Sequence, residues 1–149
     1  MTDRVYLGID YGDKRIGLAT ADADGWLAAG YKTLVVRSSS DAVAKVVREI
    51  ELVKPLAVII GYPVADDGGA GERCRRVDGF IEALNKQVKV TVNRVDERDT
   101  TTEAMAIAGT GKKGRDWSRK AKKSGKIDLL AAIMILQRWL NEHQRDTPN

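Results

Sequence analysis

The sequence predicts a single α/β domain built on a mixed sheet with helices on both faces. Three observations carry that expectation. The chain opens with three apolar, strand-like runs joined by short connections, which reads as an antiparallel meander. From Ser38 onward, helical and strand-like patterns alternate, as they do where crossover helices join parallel strands. The 149 residues contain no internal repeat and no linker long enough to separate a second domain from the first, so residues 1–149 read as one unit.

The first strand is Val5-Tyr6-Leu7-Gly8-Ile9, nearly continuous in its apolarity and so suited to a buried central position. Gly12 breaks it, and Ile16-Gly17-Leu18-Ala19-Thr20 returns as an antiparallel partner. Asp24-Gly25 is a turn dipeptide, after which Trp26-Leu27 and Thr33-Leu34-Val35-Val36 suggest the third strand. Ser38-Ser39-Ser40-Asp41 offers N-cap residues for a helix whose Val43, Val46, Val47, Ile50 and Val53 form one apolar stripe. Pro55 ends it. Leu56-Ala57-Val58-Ile59-Ile60, stopped by Gly61, has the make-up of a buried parallel strand. Residues 66–71 read as a flexible loop, and Val77, Phe80, Ile81 and Leu84 mark the next helix. Val88, Val90 and Val92 alternate with polar residues, a period-two strand signal. Thr100 and Glu103 can box the start of a short helix reaching Ala108, and Ile127 to Leu140 forms a last helix, apolar around much of its circumference.

Composition narrows the class. Cys74 is the only cysteine, which excludes an internal disulfide. The N-terminus lacks the apolar stretch of a signal peptide, and no run approaches the roughly 20 apolar residues of a membrane helix. A reduced, cytoplasmic protein with no membrane contact is expected. The formal charge is +4, but it is unevenly placed. Between Thr110 and Lys126, Lys112, Lys113, Arg115, Arg119, Lys120, Lys122, Lys123 and Lys126 stand against Asp116 alone. That segment carries +7 and leaves −3 on the remainder. A concentrated basic segment on an acidic body fits a polyanionic partner, although a solvated lysine-rich loop has the same composition.

Three carboxylates stand where an apolar element meets its end: Asp10 after the first strand, Glu97 after the fifth, and Asp128 at the head of the last helix. Each has an ordinary alternative. Asp10 can form a turn, Glu97 can belong to a surface cluster with Arg98, and Asp128 can complement a helix macrodipole. If the three converge, their mutual repulsion raises their pKa values unless a cation compensates. Mg²⁺ or Mn²⁺ suits an all-carboxylate site, and two such ions can serve an in-line displacement at phosphorus.

Four segments carry a family resemblance: GIDYGDKRIGLA, IIGYP with the following DGGAGER, VDERDTTTEA, and KIDLLAAIMILQRWL. In order and spacing they resemble the YqgF/RuvX family, of the ribonuclease H-like superfamily and related to RuvC-type Holliday-junction resolvases. The resemblance spans Leu7 to Leu140. It implies a ribonuclease H-like, five-stranded mixed sheet flanked by helices on both faces. It also implies metal-dependent phosphodiester hydrolysis in structured nucleic acid, as 5′ processing of pre-16S ribosomal RNA or as Holliday-junction resolution. By motif position the family's acids fall on Asp10, Glu97 and Asp128, which the resemblance makes both catalytic and metal-binding, with Asp96 a lesser candidate. One departure stands out: Asp99 occupies the place of the family's usual leucine after DER.

Lys14 and Arg15 follow Asp10 closely and can meet a phosphate beside the metals, or simply form a charged turn. Arg98 can hold a phosphate or orient Glu97. Arg73, Arg75 and Arg76 cluster near a helix start, where a solvated face is the plainer reading. In the glycine-punctuated basic segment, the lysines and arginines named above can take phosphates while Trp117 stacks on a base. Trp26 and Trp139 read as core or interface, and His143 as part of a polar tail. A non-catalytic RNA- or DNA-binding module remains the alternative to a nuclease. An actin-like ATPase also opens with Asp-x-Gly, here Asp10-Tyr11-Gly12, but needs two such domains. A four-way junction, with its two-fold character, calls for a homodimer; RNA trimming does not.

Overall fold

The computed structural model of the chain describes residues 4–25, 27–63, 70–96 and 126–145. A five-stranded sheet is built from β1 (Val5–Tyr11), β2 (Arg15–Asp22), β3 (Ala29–Val35), β4 (Ala57–Tyr62) and β5 (Thr91–Asp96), in the order β3-β2-β1-β4-β5. β1, β2 and β3 pair antiparallel, while β1–β4 and β4–β5 pair parallel. Helices α1 (Ser39–Val53) and α2 (Ala70–Gln87) cover one face, and α3 (Lys126–Arg145) covers the other.

Strand alternation divides the core. Leu7, Ile9, Ile16, Leu18, Val58 and Ile60 point to α1 and α2, where they meet Val43, Val46, Phe80 and Leu84. Ala19, Ala21, Ala57, Ile59 and Val95 point to α3 and pack on Ala132, Ile135, Leu136 and Trp139. Gly8, Gly17, Ala19 and Ala21 on β1 and β2 are small where α3 lies close. A Cβ on Gly8 would stand 2.8 Å from Leu136 Cβ.

The meander turns at Asp22–Gly25, where the Gly25 N–H donates to the Asp22 carbonyl. Ser38 caps α1 by accepting from the Asp41 N–H at 3.1 Å. Lys54 closes α1 in the left-handed region at φ 52° and returns its N–H to Ile50.

Several boundaries differ from the sequence expectation. β1 and β4 run on to Tyr11 and Tyr62, so Asp10 lies within β1 rather than after it, β3 begins at Ala29, and the last helix extends to Arg145. Ala70 and Gly71 belong to α2 rather than to the preceding loop. Val88 and Val90 precede β5, because the Val88 N–H is taken by the Leu84 carbonyl and so continues the end of α2. Their side chains still pack on the core, which is why they look strand-like in sequence. His143 lies within α3, exposed, with its ring stacked on Trp139 at 4.0 Å, rather than in a tail. The expected helix over residues 100–108 and Trp26 lie outside the described residues. Among those residues no helix is long and apolar enough to cross a membrane.

Candidate active site

Asp10 is the sixth residue of β1, and its register partner on β2 is Gly17. Directly opposed residues of an antiparallel pair share a face. Tyr6 and Gly8 contact the α3 side, so alternation turns Asp10 to that side as well. Gly17 has no side chain, and the first turn of α3 occupies the vacant space. A Cβ on Gly17 would lie 2.1 Å from the Asp128 carbonyl oxygen and 3.1 Å from Asp128 Cβ. Asp128 therefore lies over the residue that faces Asp10. With opposed Cβ atoms about 5 Å apart, the Cβ atoms of the two aspartates are within about 8 Å. Both side chains are half-buried.

These two carboxylates come from a central strand and a helix N-terminus, both rigid elements. The helix end also favours negative charge at Asp128. Their oxygens are the donors a hard divalent cation prefers, so the pair fits Mg²⁺ or Mn²⁺. Among the described residues no group of three His, Cys, Asp or Glu side chains gathers around a point. Glu97 lies outside the described residues, and so does Arg98. What precedes them is fixed. β1, β4 and β5 run parallel, with Ile9 level with Ile60 and Asp96 level with Tyr62. Asp96 thus ends β5 at the same sheet edge as Asp10. Its carbonyl accepts a hydrogen bond from Arg138 of α3, the helix that carries Asp128.

Lys14 is exposed in the β1–β2 turn, and Arg15 is half-buried at the start of β2, both at the Asp10 edge. The Lys14 carbonyl accepts from the Val36 N–H at 2.9 Å, tying this turn to the end of β3. Lys126 is the first residue of α3, two positions before Asp128. Lys112, Lys113, Arg115, Trp117, Arg119, Lys120, Lys122 and Lys123 lie outside the described residues. Arg76 is engaged by Asp13 and, at 2.9 Å, by Glu72, so it braces the β1–β2 turn against α2. Burial and the neighbouring Asp13 carboxylate raise the pKa of Tyr11, the residue after Asp10. Further along the same edge, Asp78 accepts from the Tyr62 hydroxyl at 2.9 Å and from Arg94 at 3.2 Å. That bond from Tyr62 pushes the phenol pKa up to about 12.

Sequence reasoning named Asp10 and Asp128 but missed Gly17 and Arg138. Gly17 did carry a signal, since a glycine inside a strand often marks close approach of another backbone. Arg138 carried none, because its partner is a main-chain oxygen 42 residues away.

The chain is similar to known proteins in sequence and in fold. The family model described as RuvX, Holliday junction resolvase, matches residues 4–142. A Pseudomonas syringae pv. tomato protein named "Putative pre-16S rRNA nuclease" is 37% identical over 142 residues, covering 94% of this chain and 93% of its own. A protein of the same name from Ruminiclostridium cellulolyticum is 34% identical over 139 residues, covering 91% and 92%. Among solved structures, T. thermophilus RuvC in complex with a Holliday junction substrate superposes with a TM-score of 0.59 at 16% identity, covering 95% and 96%. Fowlpox virus resolvase with Holliday junction DNA gives 0.55 at 13%, covering 93% and 98%. At such identities these two structures speak to the fold, which is the five-stranded, ribonuclease H-like arrangement expected from the sequence. With a family match over nearly the whole chain and relatives above 30% identity over more than nine-tenths of their length, the chain belongs to the RuvX family.

Proposed function

We propose that this protein is a divalent-metal-dependent nuclease that hydrolyses phosphodiester bonds in structured nucleic acid. One observation carries the reading: Gly17 lets the backbone of Asp128 settle opposite Asp10, so two distant acids share one edge and one face of the sheet. In this reading Asp10 and Asp128 are joined by Glu97, the residue after β5, to hold two Mg²⁺ or Mn²⁺ ions. When bound, those ions polarise the phosphodiester and offset the charge that builds up on it in an in-line displacement.

The chain's own residues do the rest. Asp10 and Asp128 orient the site from rigid elements. Lys14 and Arg15 meet phosphate oxygens at the Asp10 edge, and Arg98 meets them from the end of β5. Lys112, Lys113, Arg115, Arg119, Lys120, Lys122, Lys123 and Lys126 hold the backbone of the nucleic acid, with Trp117 as a stacking platform. Phosphate contacts carry no sequence information, so recognition is by shape and falls steeply with salt.

The relatives at 34–37% identity bear the name of a pre-16S rRNA nuclease, and the family model bears that of a junction resolvase. Both substrates are cytoplasmic in a bacterium. Full-chain relatives at that identity carry the first name, which favours processing of the 5′ end of pre-16S rRNA, with Holliday-junction resolution as the other reaction the site supports.

The test offers both substrates, a pre-16S rRNA 5′ segment and a four-way DNA junction, with Mg²⁺ or Mn²⁺. Cleavage that disappears in Asp10→Asn, with binding retained, is the expected result. Binding without cleavage, unaltered by Asp10→Asn, would leave the chain a nucleic-acid-binding module. A mass measurement in solution accompanies it, since resolution of a two-fold junction calls for a homodimer.

A further inference from the structure

A second concavity lies on the sheet face opposite Asp10 and Asp128. It occupies about 670 Å³ between the N-terminus of α1, the turn after β1 and the middle of α2. Small-ligand sites have volumes of about 300–1,000 Å³, with mostly apolar walls and a few convergent polar groups. This one matches. Tyr11, Val43, Phe80 and Ala83 supply apolar wall, and the Tyr11 and Phe80 rings stand 4.5 Å apart.

Gly79 is the unexpected member of the lining. It sits inside α2, where glycine weakens a helix. Gly8 and Gly17 are explained by α3 pressing on them, but among the described residues nothing lies within 4 Å of the place a Gly79 Cβ would take. Close packing therefore gives no reason for this glycine. Its effect is a flat stretch of bare helix backbone in the cavity wall, next to the Phe80 ring, where a planar group can lie.

The other end of the cavity suits an anion. Ser39 and Ser40 are the first residues of α1, whose leading N–H groups have no intrahelical acceptor and form the positive end of the helix dipole. Arg75 adds a guanidinium to the rim. Arg76 lines the cavity too but is engaged by Asp13 and Glu72, so attraction for an anion rests on Arg75 and the helix end.

We infer that this cavity binds a nucleoside phosphate, with the base against Gly79, Phe80 and Tyr11 and the phosphate between Arg75 and the first turn of α1. Two sources share that chemistry: a free mononucleotide, or a nucleotide of the strand being cleaved. The second source rests on the nuclease reading. Tyr11 directly follows Asp10 while its side chain takes the opposite face, so a strand rounding this edge meets both sites.

Calorimetry of the full chain with AMP tests the free ligand. Wild type should bind AMP, and Gly79→Met, which fills the wall, should weaken binding at least tenfold. Arg75→Gln should do the same, and inorganic phosphate should compete weakly. An unchanged or raised melting temperature for Gly79→Met shows that the loss is not unfolding. If wild type ignores AMP, yet Gly79→Met, which alters no charge, lowers affinity for the RNA segment or the junction at least fivefold in EDTA, the occupant is a nucleotide of the strand. AMP bound equally by wild type and Gly79→Met overturns the inference. So does the absence of AMP binding together with unaltered nucleic-acid binding, or no binding of either. A wild type that cleaves nothing removes the nuclease reading, and the AMP titration still decides the cavity.

Discussion

Adding one methyl group at Gly17 separates the two aspartates without replacing either. In Gly17→Ala the new carbon would sit 2.1 Å from the Asp128 carbonyl oxygen, whereas ordinary contact begins at 3.4 Å. Backbone lies on both sides, so the first turn of α3 must recede by about 1.3 Å, the difference between those two distances. Overpacking of this kind costs about 1–3 kcal/mol of stability. The cost to a metal site is steeper, because ligand distances tolerate only about 0.2 Å and a 1 Å misplacement can lower a rate about a hundredfold. Gly8→Ala is the control. It lies under the same helix, 2.8 Å from Leu136 Cβ and 3.2 Å from the Ala132 carbonyl oxygen, one to two turns beyond Asp128. Urea denaturation should show comparable losses for the two variants. Mn²⁺ calorimetry and single-turnover cleavage should show a large loss for Gly17→Ala alone. A folded Gly17→Ala protein that binds Mn²⁺ and cleaves like wild type would refute the claim that the spacing of Asp10 and Asp128 governs the site.

Other outcomes follow from particular contacts. Ser38→Ala removes the N-cap of α1 and should cost about 1 kcal/mol in urea denaturation, since the Asp41 N–H loses its acceptor. Trp139 is buried with its indole N–H unpartnered among the described residues, so Trp139→Phe sheds that donor along with some apolar area. That exchange should cost less than about 1.5 kcal/mol, against about 3–5 kcal/mol for Trp139→Ala. In a phenolate absorbance titration, Tyr62→Phe should remove a late component centred near pH 12. The sign is definite. The folded pKa lies above the unfolded value of about 10, so this group's contribution to stability is complete below pH 10 and is lost as pH rises towards 12.

The periodicities of β1, α1 and β4 are strong enough that their place in the fold is legible from sequence. Each buries a continuous apolar run or stripe, and no competing pattern fits. Boundaries were harder to read where a residue serves two elements. Val88 looks like strand because its side chain is in the core, yet its N–H belongs to α2. Local pattern reports which side chains are buried, not which backbone groups are bonded.

The same division runs through the site. Sequence alone nominated the candidates for the proposed chemistry: Asp10 near a strand exit, Asp128 at a helix head, and a basic run before it, because charge and element ends are local properties. Only the tertiary structure decided that Asp10 and Asp128 lie on one face within about 8 Å, because that depends on the register that sets Gly17 against Asp10 and on α3 filling the space Gly17 leaves. The tie from Arg138 to Asp96 and the cavity over Gly79 likewise belong to the packed molecule. Both arise between segments far apart in the chain, and no local pattern of residue types encodes a distance across a sheet.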